Sequence, residues 1–148
     1  MTPRSRILLV DDEIAIQRAV GPLLRSRGYE VEIAGTGADA LRMVAAHPPD
    51  LIVLDLGLPD LEGTEVCRRI RATSRVPIVV LSARGAEADK VNALDLGADD
   101  YVTKPFGPEE LMPLTMAQVA RFAKAPPSPS KSGSSPKAAP FPWSSPAS

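Results

Sequence analysis

Leu51-Ile-Val-Leu-Asp-Leu-Gly-Leu-Pro-Asp60 decides how the rest of the chain is read. The apolar run from Leu51 to Leu54 fits a strand buried on both faces, and it ends in a carboxylate, Asp55, with the turn formers Gly57 and Pro59 directly behind. In an open parallel sheet, ligands bind at the edge where strands end. Asp55 therefore marks a candidate site, provided that other strands bring it partners.

Upstream, Ile7 to Val10 forms a shorter apolar run that also ends in acids, Asp11 and Asp12. From Glu13 the residues Ile14, Ile16, Ala19, Val20, Leu23 and Leu24 recur at helical spacing toward a stop at Gly28, with a kink or early fraying expected at Pro22. Tyr29 to Ala34 predicts a second strand. Thr36 and Asp39 have the spacing of a capping pattern for a helix that runs to about Ala46, where His47, Pro48 and Pro49 break it.

Downstream, Glu65, Val66 and Ile70 predict a third helix ending near Thr73, with Arg68, Arg69 and Arg71 on a solvated face. Pro77 opens a strand, Ile78 to Leu81, followed by Ser82. A weaker helix fits Ala86 to Leu96, with Val91, Leu94 and Leu96 as apolar members and Gly97 as its stop. A short strand, Asp100 to Thr103, delivers Lys104 to its end, and Pro108 starts a last helix. Alternating strands and helices predict an α/β fold, a doubly wound five-stranded parallel sheet with right-handed crossovers. Asp11, Asp12, Asp55, Ser82 and Lys104 then converge on one edge.

The 148 residues and 44% hydrophobic content fit one domain. A formal net charge of -1 gives no bulk attraction for nucleic acid or an anionic membrane, and the single cysteine, Cys67, excludes an internal disulfide framework. No apolar run is long enough for a signal peptide or a membrane span, so a cytoplasmic protein is expected. Residues 1–124 are expected to form the domain. Residues 125–148, with 7 prolines, 8 serines and no acid, are expected to be a disordered tail whose only large apolar groups are Phe141 and Trp143.

Three carboxylates in one pocket repel, by about 4 kcal/mol for a pair about 4 Å apart at an effective dielectric near 20. A hard divalent cation such as Mg2+ and the ammonium of Lys104 would offset this. The same set suits phosphoryl transfer: a carboxylate attacks phosphorus while the cations and a hydroxyl such as Ser82 stabilise its oxygens. Asp55, on the middle strand, is the candidate nucleophile.

Leu8-Leu-Val-Asp-Asp-Glu13, Ile52-Val-Leu-Asp-Leu-Gly-Leu-Pro59, Leu81-Ser-Ala83 and Asp100-Tyr-Val-Thr-Lys-Pro-Phe106 resemble, in order and separation, the flavodoxin-like, CheY-like receiver domain of two-component response regulators. Asp95-Leu-Gly-Ala-Asp-Asp-Tyr101 is most similar to the OmpR/PhoB subfamily and more loosely to its KdpE-type members. The resemblance implies that a sensor histidine kinase phosphorylates Asp55. It also implies that Asp12, Asp55 and the Gly57 carbonyl bind Mg2+, with Asp11 helping through water, and that Lys104 contacts the phosphoryl group. Ser82 and Tyr101 would form a switch pair that alters the face of helix four, strand five and helix five, and a cis bond would precede Pro105. Chemistry would be limited to self-phosphorylation and its reversal by hydrolysis, so no enzyme with an external substrate is expected.

The chain departs from the subfamily in helix five, where Pro113 predicts a kink or restart. Leu114 replaces an arginine of the family's dimer face, which puts a homodimer through that face in doubt. No winged-helix DNA-binding domain follows, so this chain is not expected to bind nucleic acid. Truncation, or a reading frame disrupted near Met112, is preferred over a natural single-domain regulator. Two other functions remain open at this point: a phosphorylation-independent binding module, and a haloacid dehalogenase-type phosphatase. The second needs Asp-x-Asp after its first strand, whereas Asp11 and Asp12 are adjacent.

Overall fold

A computed structural model describes residues 5–83 and 87–124. The expected disorder of 125–148 lies outside the described residues. Five strands, β1 (Arg6–Val10), β2 (Glu30–Ala34), β3 (Leu51–Asp55), β4 (Ile78–Ala83) and β5 (Asp100–Lys104), alternate with five helices: α1 (Ile14–Ser26), α2 (Gly37–Ala46), α3 (Gly63–Arg71), α4 (Glu87–Asp95) and α5 (Pro108–Lys124). All strand pairings are parallel, in the order β2-β1-β3-β4-β5. The order reverses between β1 and β3, so Asp11 and Asp55 flank the crevice where open α/β sheets bind ligands.

The central strands β1, β3 and β4 are apolar because each serves two cores, whereas the edge strands β2 and β5 carry exposed residues such as Glu30, Glu32 and Tyr101. Leu8, Val10, Ile52, Leu54, Ile78 and Val80 pack against α2, α3 and α4. The alternate residues Ile7, Leu9, Leu51, Val53, Val79 and Leu81 pack against α1 and α5. Removing any of these fully buried leucines would cost about 2–5 kcal/mol.

At both prolines the expectation of a helix break, though not that of a kink, is corrected. Helix α1 passes through Pro22 without fraying, and α5 is one helix through Pro113 rather than a restart. Both prolines lie on exposed positions, where the carbonyls they leave unbonded, those of Arg18 and Glu109, can be met by water. Helix α4 also differs from its reading: its buried residue is Ala93, while Val91 and Leu94 are exposed. Among the described residues no helix is long and apolar enough to cross a membrane.

Two arginines close the edge where the strands begin. Arg6 donates to the carbonyls of Pro48 and His47 and pairs with Glu32 at 3.0 Å, while its own N–H bonds Asp50. Arg71 donates to the carbonyls of Gly97, Ser74 and Val76 and pairs with Asp99 at 3.1 Å. This corrects the solvated reading of Arg71, whose guanidinium gathers the α3–β4 and α4–β5 connections. Arg68 and Arg69 do lie on the exposed face, both paired with Glu65, whose carboxyl they hold down at about 2.

Candidate functional site

The opposite edge collects the acids. Beyond β1, the Asp11 N–H still bonds the Ala34 carbonyl at 3.1 Å, which carries the β2 pairing one residue past the strand and fixes where its side chain starts. Its Oδ1 accepts the Glu13 N–H at 2.9 Å, a local turn that launches α1, and its carbonyl accepts Gln17 Nε2. Asp55, last residue of β3, is paired in register with Leu81 of β4, and its Oδ1 accepts the Gly57 N–H at 3.0 Å. Asp11 is fully buried and Asp55 nearly so, while Asp12 faces solvent.

Lys104 closes the arrangement. It stands at the end of β5, its peptide to Pro105 is cis, and its Nζ lies 2.9 Å from Asp11 Oδ2, 3.0 Å from Glu13 Oε1 and 3.4 Å from Asp55 Oδ2. The structure therefore brings together Asp11, Asp12, Asp55 and Lys104, as the sequence predicts. Ser82 is buried beside them, in register with Thr103. Tyr101 is not drawn in: it is 38% exposed, with Lys90 Nζ 4.2 Å from its ring centroid.

Burial raises the pKa of both Asp11 and Asp55 above the usual carboxylate value. The backbone N–H groups of Glu13 and Gly57 and the ammonium of Lys104 offset this only in part. For Lys104, burial alone would lower the pKa, but its close pairing with Asp11 and Glu13 and the charge of Asp55 outweigh it and hold the ammonium above the ordinary lysine range. One more positive charge fits here. Ligand oxygens of Asp11, Asp12 and Asp55 lie within 4.8 Å of one another, an all-oxygen set that suits a hard cation. Asp11 Oδ2, though buried and close to the ammonium, receives no directed hydrogen bond among the described residues, as expected of an oxygen with room for a further cation.

Two residues at this edge escape a reading of the sequence. Glu13 holds Lys104, and only its place after the Asp11-Asp12 pair hints at it. Asp60 reaches from the β3–α3 loop to the first turn of α2, where its carboxylate accepts the N–H groups of Gly37 and Ala38. Nothing local in sequence marks that contact, because its partners lie 23 and 22 residues away.

A family model described as the response regulator receiver domain matches residues 7–115. The transcriptional regulatory protein KdpE of Mycobacterium tuberculosis is 53% identical over 119 residues, covering 80% of this chain and 53% of that protein. The response regulator MprA of Mycobacterium leprae is 47% identical over 117 residues, 78% of this chain and 51% of that protein. The chain thus spans about half the length of the curated relatives it matches. Among solved structures, a CheY-like response regulator receiver domain protein from Methanospirillum hungatei superposes with a TM-score of 0.78 at 31% identity, over 82% of this chain and 98% of that one.

Proposed function

The chain belongs to the response regulator receiver domain family of two-component signalling, and on that premise we propose that Asp55 is its phosphoacceptor, phosphorylated by a sensor histidine kinase. The observation that carries this reading is the position of Lys104 Nζ between Asp11 and Asp55 at the crevice beside β3. An Asp55 oxygen attacks phosphorus, the bond from phosphorus to the kinase imidazole breaks, and the imidazole leaves with the electron pair and takes up a proton. The Gly57 N–H orients the Asp55 carboxylate during attack. Lys104 exchanges part of its hold on the acids for the incoming phosphoryl oxygens. Asp12, Asp55 and the Gly57 carbonyl would hold Mg2+, with Asp11 assisting. When bound, the ion supplies positive charge against both the carboxylates and the phosphoryl oxygens. Hydrolysis later returns Asp55 to a carboxylate.

Ser82 and Tyr101 form the switch in this reading. Ser82 turns its hydroxyl to the phosphoryl group and Tyr101 moves inward, which changes the α4-β5-α5 face. The exposed Val91 and Leu94 on α4, next to the exposed Tyr101, support a protein partner at that face. Leu114, in place of the family arginine, argues against an arginine-based homodimer there. We place the protein in the cytoplasm, as the receiver of a transcriptional regulator. Acetyl phosphate with Mg2+ should add one phosphoryl group to the wild type and none to Asp55→Asn, as read by intact mass. Labelling of the variant would end the proposal.

A further inference from the structure

We infer that Asp60 is a positioning residue for magnesium: its carboxylate ties the loop that carries Gly57 to the first turn of α2 and so fixes how that loop presents its carbonyl. The inference rests on the assignment of Gly57 as a ligand. The β3–α3 loop is closed at its base, where the Leu56 N–H bonds the Leu81 carbonyl at 2.9 Å and the Gly63 N–H bonds the Leu56 carbonyl at 3.0 Å. The base is also tightly packed, since a Cβ on Gly63 would lie 2.4 Å from Leu56 Cα and 2.6 Å from the Asp55 carbonyl oxygen.

At the tip, Asp60 Oδ1 accepts the Gly37 N–H at 2.8 Å and Oδ2 accepts the Ala38 N–H at 3.0 Å. Both oxygens are engaged at a helix N-terminus, where an anion is favoured, and these bonds lower the pKa of the Asp60 carboxyl. The contact is close on the other side too, because a Cβ on Gly37 would lie 2.9 Å from Val66 Cγ2 and 3.0 Å from Leu61 Cβ. Gly57 therefore sits in a loop held at both base and tip, and Asp60 supplies the tip. Helix α2 has a second, independent cap in Thr36, whose Oγ1 accepts the Asp39 N–H at 3.1 Å. Thr36 stabilises the same helix and, among the described residues, makes no side-chain hydrogen bond to the loop.

That pair of caps separates positioning from plain stability. Unfolding temperature is measured against magnesium concentration for wild type, Asp60→Ala, Asp60→Asn and Thr36→Ala. Both alanine variants should melt lower than wild type without magnesium. Only Asp60→Ala should raise the half-saturating magnesium concentration, by about tenfold, the lower end of what loss of an outer-shell partner does to a metal site. Asp60→Asn keeps one of the two acceptors for α2 and turns a donor toward the other N–H, so it should fall between wild type and Asp60→Ala. An asparagine variant that needs more magnesium than the alanine one would overturn the inference, since it keeps more of the tie. So would equal magnesium dependence in Asp60→Ala and wild type, or an equal weakening in Thr36→Ala. A wild type whose unfolding ignores magnesium would instead overturn the metal-site reading, and this inference with it.

Discussion

At the edge where the strands begin, Arg6 and Arg71 each gather backbone carbonyls and a carboxylate. At the edge where they end, Asp11, Asp55 and Glu13 share the single ammonium of Lys104. In the first case a guanidinium supplies its fixed fork of donors to acceptors that loops cannot otherwise satisfy. In the second, acids are buried in excess of the positive charge facing them, and burial raises the pKa of two of them. The same sheet thus has a charge-satisfied end and a charge-deficient end. Only the deficient end has reason to take up a cation or a phosphoryl group. An electrostatic cost retained in a folded domain is a better pointer to function than a set of well-made bonds.

The comparison breaks first, and with the largest effect, at Arg71. Arg71→Ala leaves the Gly97, Ser74 and Val76 carbonyls without their donor, and the chain should lose about 3 kcal/mol of stability in urea unfolding. Arg71→Lys should recover less than half, because one ammonium cannot reach both connections. A loss no larger than an exposed arginine gives would remove the contrast between the two ends.

Removing charge at the other end should have the opposite sign. Burial holds the Asp55 and Asp11 carboxyls above 3.8, so the folded chain binds protons more tightly than the unfolded one. Their contribution is fully present below the unfolded value and is lost as pH rises through the folded ones. In magnesium-free buffer at neutral pH, Asp55→Asn should therefore be more stable than wild type. The gap should narrow as the buffer is acidified toward the ordinary carboxylate range, which a denaturation series over pH would show. Glu65, held at about 2 by Arg68 and Arg69, works in the other direction, but it is common to both proteins and drops out of the difference.

The smallest effect sharpens the contrast by testing buried polarity that serves no charge. Thr115 is fully buried on the core side of α5, and its hydroxyl has no hydrogen-bond partner among the described residues. Thr115→Val should stabilise by about 1 kcal/mol and leave the magnesium shift of the melting temperature unchanged. A changed magnesium response would show that α5 is coupled to the acidic edge after all.

How much of this was legible in the chain depends on the range of the signal. The central strands and their terminal acids could be read because a strand buried on both faces is an unbroken apolar run, and Asp11 and Asp55 each sit where such a run stops. Thr36 could be read as a cap because its partner, Asp39, is three residues away. Arg71 and Asp60 could not, since their partners are assembled only by the tertiary fold. Pro113 misled as to a restart, because its penalty for a helix interior takes no account of which face it occupies. Val91 and Leu94 misled in the same way: helical spacing placed them together, but on the face that the core does not cover.

The contact between Lys90 and Tyr101 sets a scale for what the proposed switch must overcome. A cation over an aromatic ring at an exposed site is worth about 0.5–1 kcal/mol, a factor of about two to five between ring positions. That is a bias and not a lock. Before any phosphoryl group arrives, thermal motion alone can part the ring from its cation in a measurable fraction of molecules.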